Sequence, residues 1–131
     1  MTQRPIIRLS TETIIDIHSE LIDNIGGGHG IRDKKLLDMA VNSIFQTFDG
    51  NDLYPTIIDK AAHLAYSLIK NHPFLDGNKR IGVTAMIIFL KSNGINFKCT
   101  NNELATFGLG IANGSLDEKN AQDWINSHII P

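Results

Sequence analysis

Apolar residues recur along this chain at intervals of three and four, the spacing of amphipathic helices. Ser10 is a good N-cap, and Ile14, Ile17, Leu21 and Ile25 follow it on one stripe that ends at Gly26-Gly27-Gly28. Asp33 can cap a second helix whose buried face carries Leu36, Leu37, Ala40, Val41 and Ile44. The run Ile44-Phe45-Gln46-Thr47-Phe48 then meets Asp49-Gly50-Asn51-Asp52. Aromatic and β-branched residues before an Asp-Gly turn suit a short hairpin, and an ordinary connection between helices suits the same residues.

Pro55 fits the first turn of a third helix. Its broad stripe of Ile57, Ile58, Ala61, Leu64, Ala65, Leu68 and Ile69 runs to Lys70. His72-Pro73 stops it, because a residue before proline is pushed out of the α region. A fourth helix starts near Gly77 or Asn78 and ends at Ser92, before Asn93-Gly94. It is apolar almost all round, which predicts a place at the centre of a bundle. Ile95 to Cys99 reads as a brief extended segment. A helix near Asn102 to Ala112 follows. Ser115 and Glu118 then predict a capping box for a last helix bearing Leu116, Ala121, Trp124, Ile125 and Ile129. The expectation is an all-α protein with one small hairpin at most.

Composition narrows the classes. The chain has 131 residues, 42% hydrophobic and 20% charged, too apolar for disorder. That length predicts one domain, residues 1–131, burying roughly two-thirds of its unfolded surface without a disulfide or metal staple. The net charge of −2, from 12 Lys+Arg and 14 Asp+Glu, offers no global field for nucleic acid or an anionic membrane. The lone Cys99 excludes an internal disulfide and reads as a small buried side chain. No targeting segment is visible: Arg4 and Arg8 interrupt the apolar stretch at the N-terminus. The longest apolar run, Ile81 to Leu90, is too short for a membrane span. A soluble protein of the cytoplasm is expected.

Chemistry concentrates in His72-Pro73-Phe74-Leu75-Asp76-Gly77-Asn78-Lys79-Arg80. Gly77, Asn78, Lys79 and Arg80 fall at a helix N-terminus, where unpaired N–H groups and about half a positive charge await an anion. Gly77 permits positive φ and lets a phosphate approach the backbone. Lys79 adds a compact cation and Arg80 a planar fork. Asn78 can bond phosphate or hold the loop. Two cations at a helix start oppose the dipole, so they call for a compensating anion. Asp76 is a hard oxygen ligand beside that site, and carboxylate plus phosphate is how Mg²⁺ is usually held. His72 titrates near neutrality and can take a proton from an attacking hydroxyl. Phe74 reads as a core anchor for the loop, and Leu75 either joins it or sits exposed.

The remaining candidates carry less. His63 reads as a core or helix-face histidine. His18, His29 and His128 lack the spacing of a zinc helix site and read as incidental. Trp124 reads as core packing. Gly26 to Gly30 lacks the Gly-Lys-Ser/Thr of a phosphate loop and a preceding strand, so it reads as a flexible connection.

The nine residues HPFLDGNKR resemble the signature loop of the Fic/Doc family, whose Fic branch reads H-P-F-x-D/E-G-N-G-R-x-x-R. The helix–flap–helix–loop–helix order from about Asp33 to Gly94 is similar to the family core. Lys79 stands where Fic enzymes carry glycine, and Val83 where they carry a second arginine. Both are the pattern of the Doc branch, the death-on-curing toxins of bacterial toxin–antitoxin pairs.

The resemblance implies a helical bundle with a central buried helix and a hairpin flap. It implies His72 as general base, Asp76 as Mg²⁺ ligand, and Gly77, Asn78, Lys79 and Arg80 as the cradle for ATP phosphates. Phe74 would anchor the loop. Gln46, Thr47, Phe48 and Asp49 would belong to the flap that aligns a target segment by backbone pairing. The implied activity is phosphoryl transfer from ATP to a protein hydroxyl, the target a translation elongation factor. AMP transfer, or a catalytically inactive interaction module, is the alternative. Neither Ser10, followed by Ile14, nor Ser115, followed by Lys119, begins the inhibitory Ser/Thr-x-x-x-Glu helix of many Fic proteins. Inhibition by a separate antitoxin is therefore expected. No membrane and no direct nucleic-acid partner is expected.

Overall fold

The computed structural model describes residues 5–131. Arg4 lies outside the described residues. Among those residues the order is α1 (Thr11–Ile25), α2 (Lys34–Asn42), a 3-10 turn (Ser43–Phe45), β1 (Thr47–Phe48), β2 (Asn51–Asp52), α3 (Ile57–Asn71), α4 (Asn78–Ser92), α5 (Asn101–Asn113) and α6 (Glu118–Ser127). The fold is mostly helical with one two-stranded antiparallel hairpin. Among the described residues, no helix is long and apolar enough to cross a membrane.

Local chemistry accounts for the helix starts. Ser10, Asp33, Thr56 and Thr100 each accept a hydrogen bond from a first-turn N–H of α1, α2, α3 and α5. Asp59 completes a capping box with Thr56, so α3 begins at Ile57 and Pro55 lies outside it. The last helix is also capped differently from expectation. Asp117 is the N-cap and Asn120 returns the second bond, while the Ser115 hydroxyl donates to the Gly110 carbonyl. Gly114, at φ +85°, has just ended α5, and the chain spends Ser115 and Leu116 on the turn. Glu118 becomes the first helical residue. Ile129 lies past α6 and pairs with Phe97, which accounts for the extended segment before α5.

The core centres on the antiparallel pair α3–α4 rather than on α4 alone. α3 packs against α2, α4, α5 and α6, whereas α4 meets α1, α3 and α5. Gly82 lets the two come close: a Cβ there would lie 2.6 Å from the Ile69 side chain and 3.3 Å from the Ala65 carbonyl. On α1 the buried stripe is Thr11, Ile14, His18 and Ile22, with Ile25 52% exposed. The apolar set read from the sequence was one position out of phase, because it passed over a buried histidine. Cys99 is partly exposed, contrary to expectation. Partial burial and the Glu103 carboxylate push its thiol pKa up.

The segment after α2 is a hairpin. Thr47 pairs with Asp52 and Phe48 with Asn51. Asp49 and Gly50 both take positive φ, 53° and 80°, as a primed two-residue turn requires. Its side chains point to solvent; Phe48 is 75% exposed. The base is fixed from below by Lys60, whose side chain is almost wholly buried and whose ammonium donates to the Tyr54 carbonyl and lies 3.8 Å from the Asp52 carboxylate.

Candidate active site

The loop from His72 to Gly77 reverses the chain between α3 and α4, and nearly every turn of it is tied. His72 ends α3 in the left-handed region, φ 48° and ψ 57°. Pro73 bars it from the α region, and a left-handed non-glycine residue costs on the order of 1–2 kcal/mol. Arg32 offsets that cost. Its Nε donates to the His72 carbonyl at 2.6 Å and its Nη2 to the Asn71 carbonyl at 2.7 Å, satisfying two orphan acceptors of the helix end. The N–H groups of Arg32 and Asp33 both donate to the Pro73 carbonyl.

Phe74 is 1% exposed and stacks on the His18 ring, centroids 3.8 Å apart. It also bridges Ile31 in antiparallel fashion. Leu75 is exposed, although its N–H reaches the Gly30 carbonyl. The Asn78 amide clasps Phe74 at both ends: its Oδ1 accepts from the Phe74 N–H and its Nδ2 donates to the Phe74 carbonyl, each at 3.0 Å. The Asn78 side chain is therefore spent on loop shape. What it retains for an anion is its backbone N–H.

The N-terminus of α4 is open. Gly77 is its N-cap at φ +77°, with no side-chain cap. The first helical bond runs from the Ile81 N–H to the Gly77 carbonyl, which leaves the N–H groups of Asn78, Lys79 and Arg80 without helical partners. Lys79 and Arg80 are exposed. These residues, with His72, line a cleft of about 970 Å³ between the loop and α5. Val83, Leu104, Leu109 and Ala112 give it an apolar wall, and Asn101 and Asn102 stand at the same cleft. Val83 thus occupies the position at which a second arginine would enter this space.

Asp76 sits on the rim. Its Oδ1 accepts from the Gly77 N–H at 2.8 Å and its Oδ2 from the Gly28 N–H at 3.1 Å. These two bonds, the Gly28 one foremost, hold its carboxyl below the usual carboxylate range, and the nearby His18 adds to the effect. A carboxylate offers about four acceptor positions, so two remain. No cluster of three or more His, Cys, Asp or Glu that could hold a metal exists among the described residues. One exposed carboxylate with free acceptor positions beside an open helix N-terminus fits an ion that takes one protein carboxylate and draws its other oxygens from phosphate and water, as Mg²⁺ does.

A second cleft, of about 490 Å³, lies between α2, α3 and the start of the hairpin, with Met39, Gln46, Tyr54 and His63 in its lining and Asn71 at one end. His63 is held there by Glu118 at 2.7 Å, Ser43 at 3.0 Å and Ser67 at 3.3 Å, and it stacks on Tyr54. Burial and the Glu118 charge push the Tyr54 pKa up. His63 joins α3, the 3-10 turn and α6 as a helix-face residue.

The structure brings together His72, Asp76, Gly77, Asn78, Lys79 and Arg80, and sets the hairpin residues Gln46, Thr47, Phe48 and Asp49 apart from their cleft. Sequence reading missed Arg32, His18 and Gly28, all bound to this loop. His29 is likewise not idle: its ring bonds the Asp23 carboxylate at 2.8 Å. His128 bonds Glu103 at 3.0 Å. The one usable signal was that His18 keeps phase with Ile14 and Ile22, a buried polar residue that must have a partner.

An open helix N-terminus bearing two cations and a histidine line one cleft of a helical bundle. Residues 8–90 match the sequence profile of the Fic/DOC family, and the chain belongs to that family. It is 47% identical over 70 residues to Toxin Doc of Mycolicibacterium smegmatis (strain ATCC 700084 / mc(2)155), covering 53% of this chain and about half, 54%, of that protein's own length. It is 24% identical over 115 residues to Protein kinase doc of Escherichia phage P1, covering 88% of this chain and 90% of that protein.

Proposed function

We propose that this protein is a Doc-type toxin that transfers the γ-phosphoryl group of ATP to a hydroxyl of a protein target in translation. The observation that carries the reading is one cleft holding the three free N–H groups of α4, the Lys79 and Arg80 cations and the His72 side chain. The target hydroxyl oxygen attacks the γ-phosphorus, His72 takes its proton, the bond from the γ-phosphorus to the bridging oxygen breaks, and ADP leaves. Asp76 would hold Mg²⁺, which would neutralise charge on the phosphate oxygens. The apolar wall of α4 and α5 suits a purine ring. The names of the two relatives, a toxin and a protein kinase, support the same reading.

Val83 and Lys79 favour γ- over α-phosphate transfer. Val83 withholds a second guanidinium clamp, and Lys79 fills space that glycine would leave open. The target segment pairs with the exposed hairpin at Gln46 to Asp49. An antitoxin protein acts in trans, and the setting is the cytoplasm. The test is incubation with a translation elongation factor and ATP labelled at either phosphate. Label is expected from the γ position and not the α position. Label from the α position alone would replace the kinase reading by AMP transfer. If neither labels the factor, and growth arrest persists in the His72→Ala protein, the protein acts by binding.

A further inference from the structure

The glycine-rich connection between α1 and α2 does not behave as a loose linker. Gly28 donates its N–H to Asp76 Oδ2 at 3.1 Å, and Gly30 gives its carbonyl to the Leu75 N–H. Gly27, at φ +114°, passes so close that a Cβ would lie 2.8 Å from Asp76 Oδ2 and 3.2 Å from Ile22 Cδ1. The strap is tied back to α1 by the His29–Asp23 contact. From below, buried His18 donates from Nε2 to the Asp76 carbonyl at 2.7 Å and stacks on Phe74. Asp76 is thus gripped at its carbonyl and at both carboxylate oxygens.

We infer that the Gly27–Gly28 strap and His18 are positioning residues for the divalent cation that Asp76 would hold, a step beyond the proposed function that rests on its Mg²⁺–ATP reading. The strap and His18 preorganise the carboxylate. An exposed aspartate otherwise samples several rotamers, and each bound cation must select one. Here Gly28 and Gly77 consume one acceptor position on each oxygen and leave the remaining pair fixed beside the α4 N-terminus. A Cβ at 27 would crowd Oδ2 at 2.8 Å and push the carboxylate off this position, and the φ of +114° itself disfavours any side chain there. Partners of this kind typically change metal affinity by about tenfold to a hundredfold.

The test is Mn²⁺ binding in the presence of a non-hydrolysable ATP analogue, followed by electron paramagnetic resonance on the full chain. Gly27→Ala is expected to weaken Mn²⁺ binding by roughly tenfold to a hundredfold. Gly26→Ala is the matched control: Gly26 also has positive φ, 101°, but a Cβ there meets nothing within 4 Å. It is expected to bind as wild type. Equal affinity in wild type and Gly27→Ala overturns the strap and leaves the phosphate cradle standing. Equal loss in both alanine variants overturns it too, because strain and not contact with Asp76 would be the cause. If Asp76→Ala binds Mn²⁺ as wild type does, the metal reading falls and the strap with it. Should Gly27→Ala not fold, His18→Leu and His18→Gln serve: leucine is expected to weaken binding and glutamine, which keeps a donor, to restore it. Equal binding by both overturns the inference.

Discussion

The loop at His72–Arg80 and the hairpin at Thr47–Asp52 are both short and both reach the surface, and they are built in opposite ways. The loop is held by His18 of α1, by the strap, by Arg32 and by its own Asn78. The hairpin has a two-residue ladder, one further bond from the Leu53 N–H to the Gln46 carbonyl, and a buried lysine beneath it. Fixed geometry suits chemistry, since a displaced phosphate or proton acceptor costs rate. A lightly held strand pair suits an adaptable partner segment, because regions that bind are drawn from the less stable parts of a fold. Under the proposed function the contrast divides the work: the loop would hold the nucleotide and the hairpin would meet the target.

The sharpest way to break that division is His72→Ala. Phosphoryl transfer is expected to fall by roughly 10²–10⁴-fold with the melting temperature unchanged, because the ring is exposed. Comparable transfer by the variant, in a labelled-ATP assay, would remove the loop's chemical role. Phe74→Ala addresses stability next. Emptying that buried position is expected to cost about 3–5 kcal/mol by urea unfolding, whereas Phe48→Ala on the hairpin is expected to stay within about 0.5 kcal/mol. Phe48→Ala should nevertheless slow transfer to the protein target while leaving nucleotide affinity unaltered. An effect on nucleotide affinity would erase the distinction between the two regions.

Lys60→Met sharpens the hairpin side. It leaves the Tyr54 carbonyl without its donor, expected to cost about 1–3 kcal/mol and to speed amide exchange in the hairpin but not in the loop. The smallest effect is in pH. The Asp76 pKa is lowered in the folded state, so its contribution to stability is fully present above its ordinary value near 3.8 and is lost as pH falls below that value through the lowered folded one. The melting temperature of wild type should exceed that of Asp76→Asn at neutral pH, and the gap should close on acidification. A gap that widens in acid would contradict the hydrogen bonding assigned to this carboxylate.

Legibility in the sequence followed distance along the chain. The stop at His72-Pro73 and the stretch HPFLDGNKR are local signals, readable from neighbours, while the Asp-Gly turn left a hairpin and a plain connection between helices equally open. Arg32, Gly28 and His18 act on residues 40, 48 and 58 positions away, and no periodicity reports a partner at that range. The glycine run read as flexible because glycine permits flexibility; the structure uses it instead for close approach to Asp76. Asn78 was open between two roles, and only the positions of the Phe74 N–H and carbonyl decide for loop shape. Lys60 followed the same logic: on a stripe of apolar neighbours a lysine reads as the solvent side, yet its stem is buried and its head serves the Tyr54 carbonyl.

The central claim is that the start of α4 receives a polyphosphate opposite His72. A crystal structure with Mg²⁺ and a non-hydrolysable ATP analogue tests it most directly. Phosphate oxygens are expected on the N–H groups of Asn78, Lys79 and Arg80, with the His72 ring facing the cleft. A nucleotide seated instead in the His63 cleft, or a His72 ring turned away from bound phosphate, would contradict it.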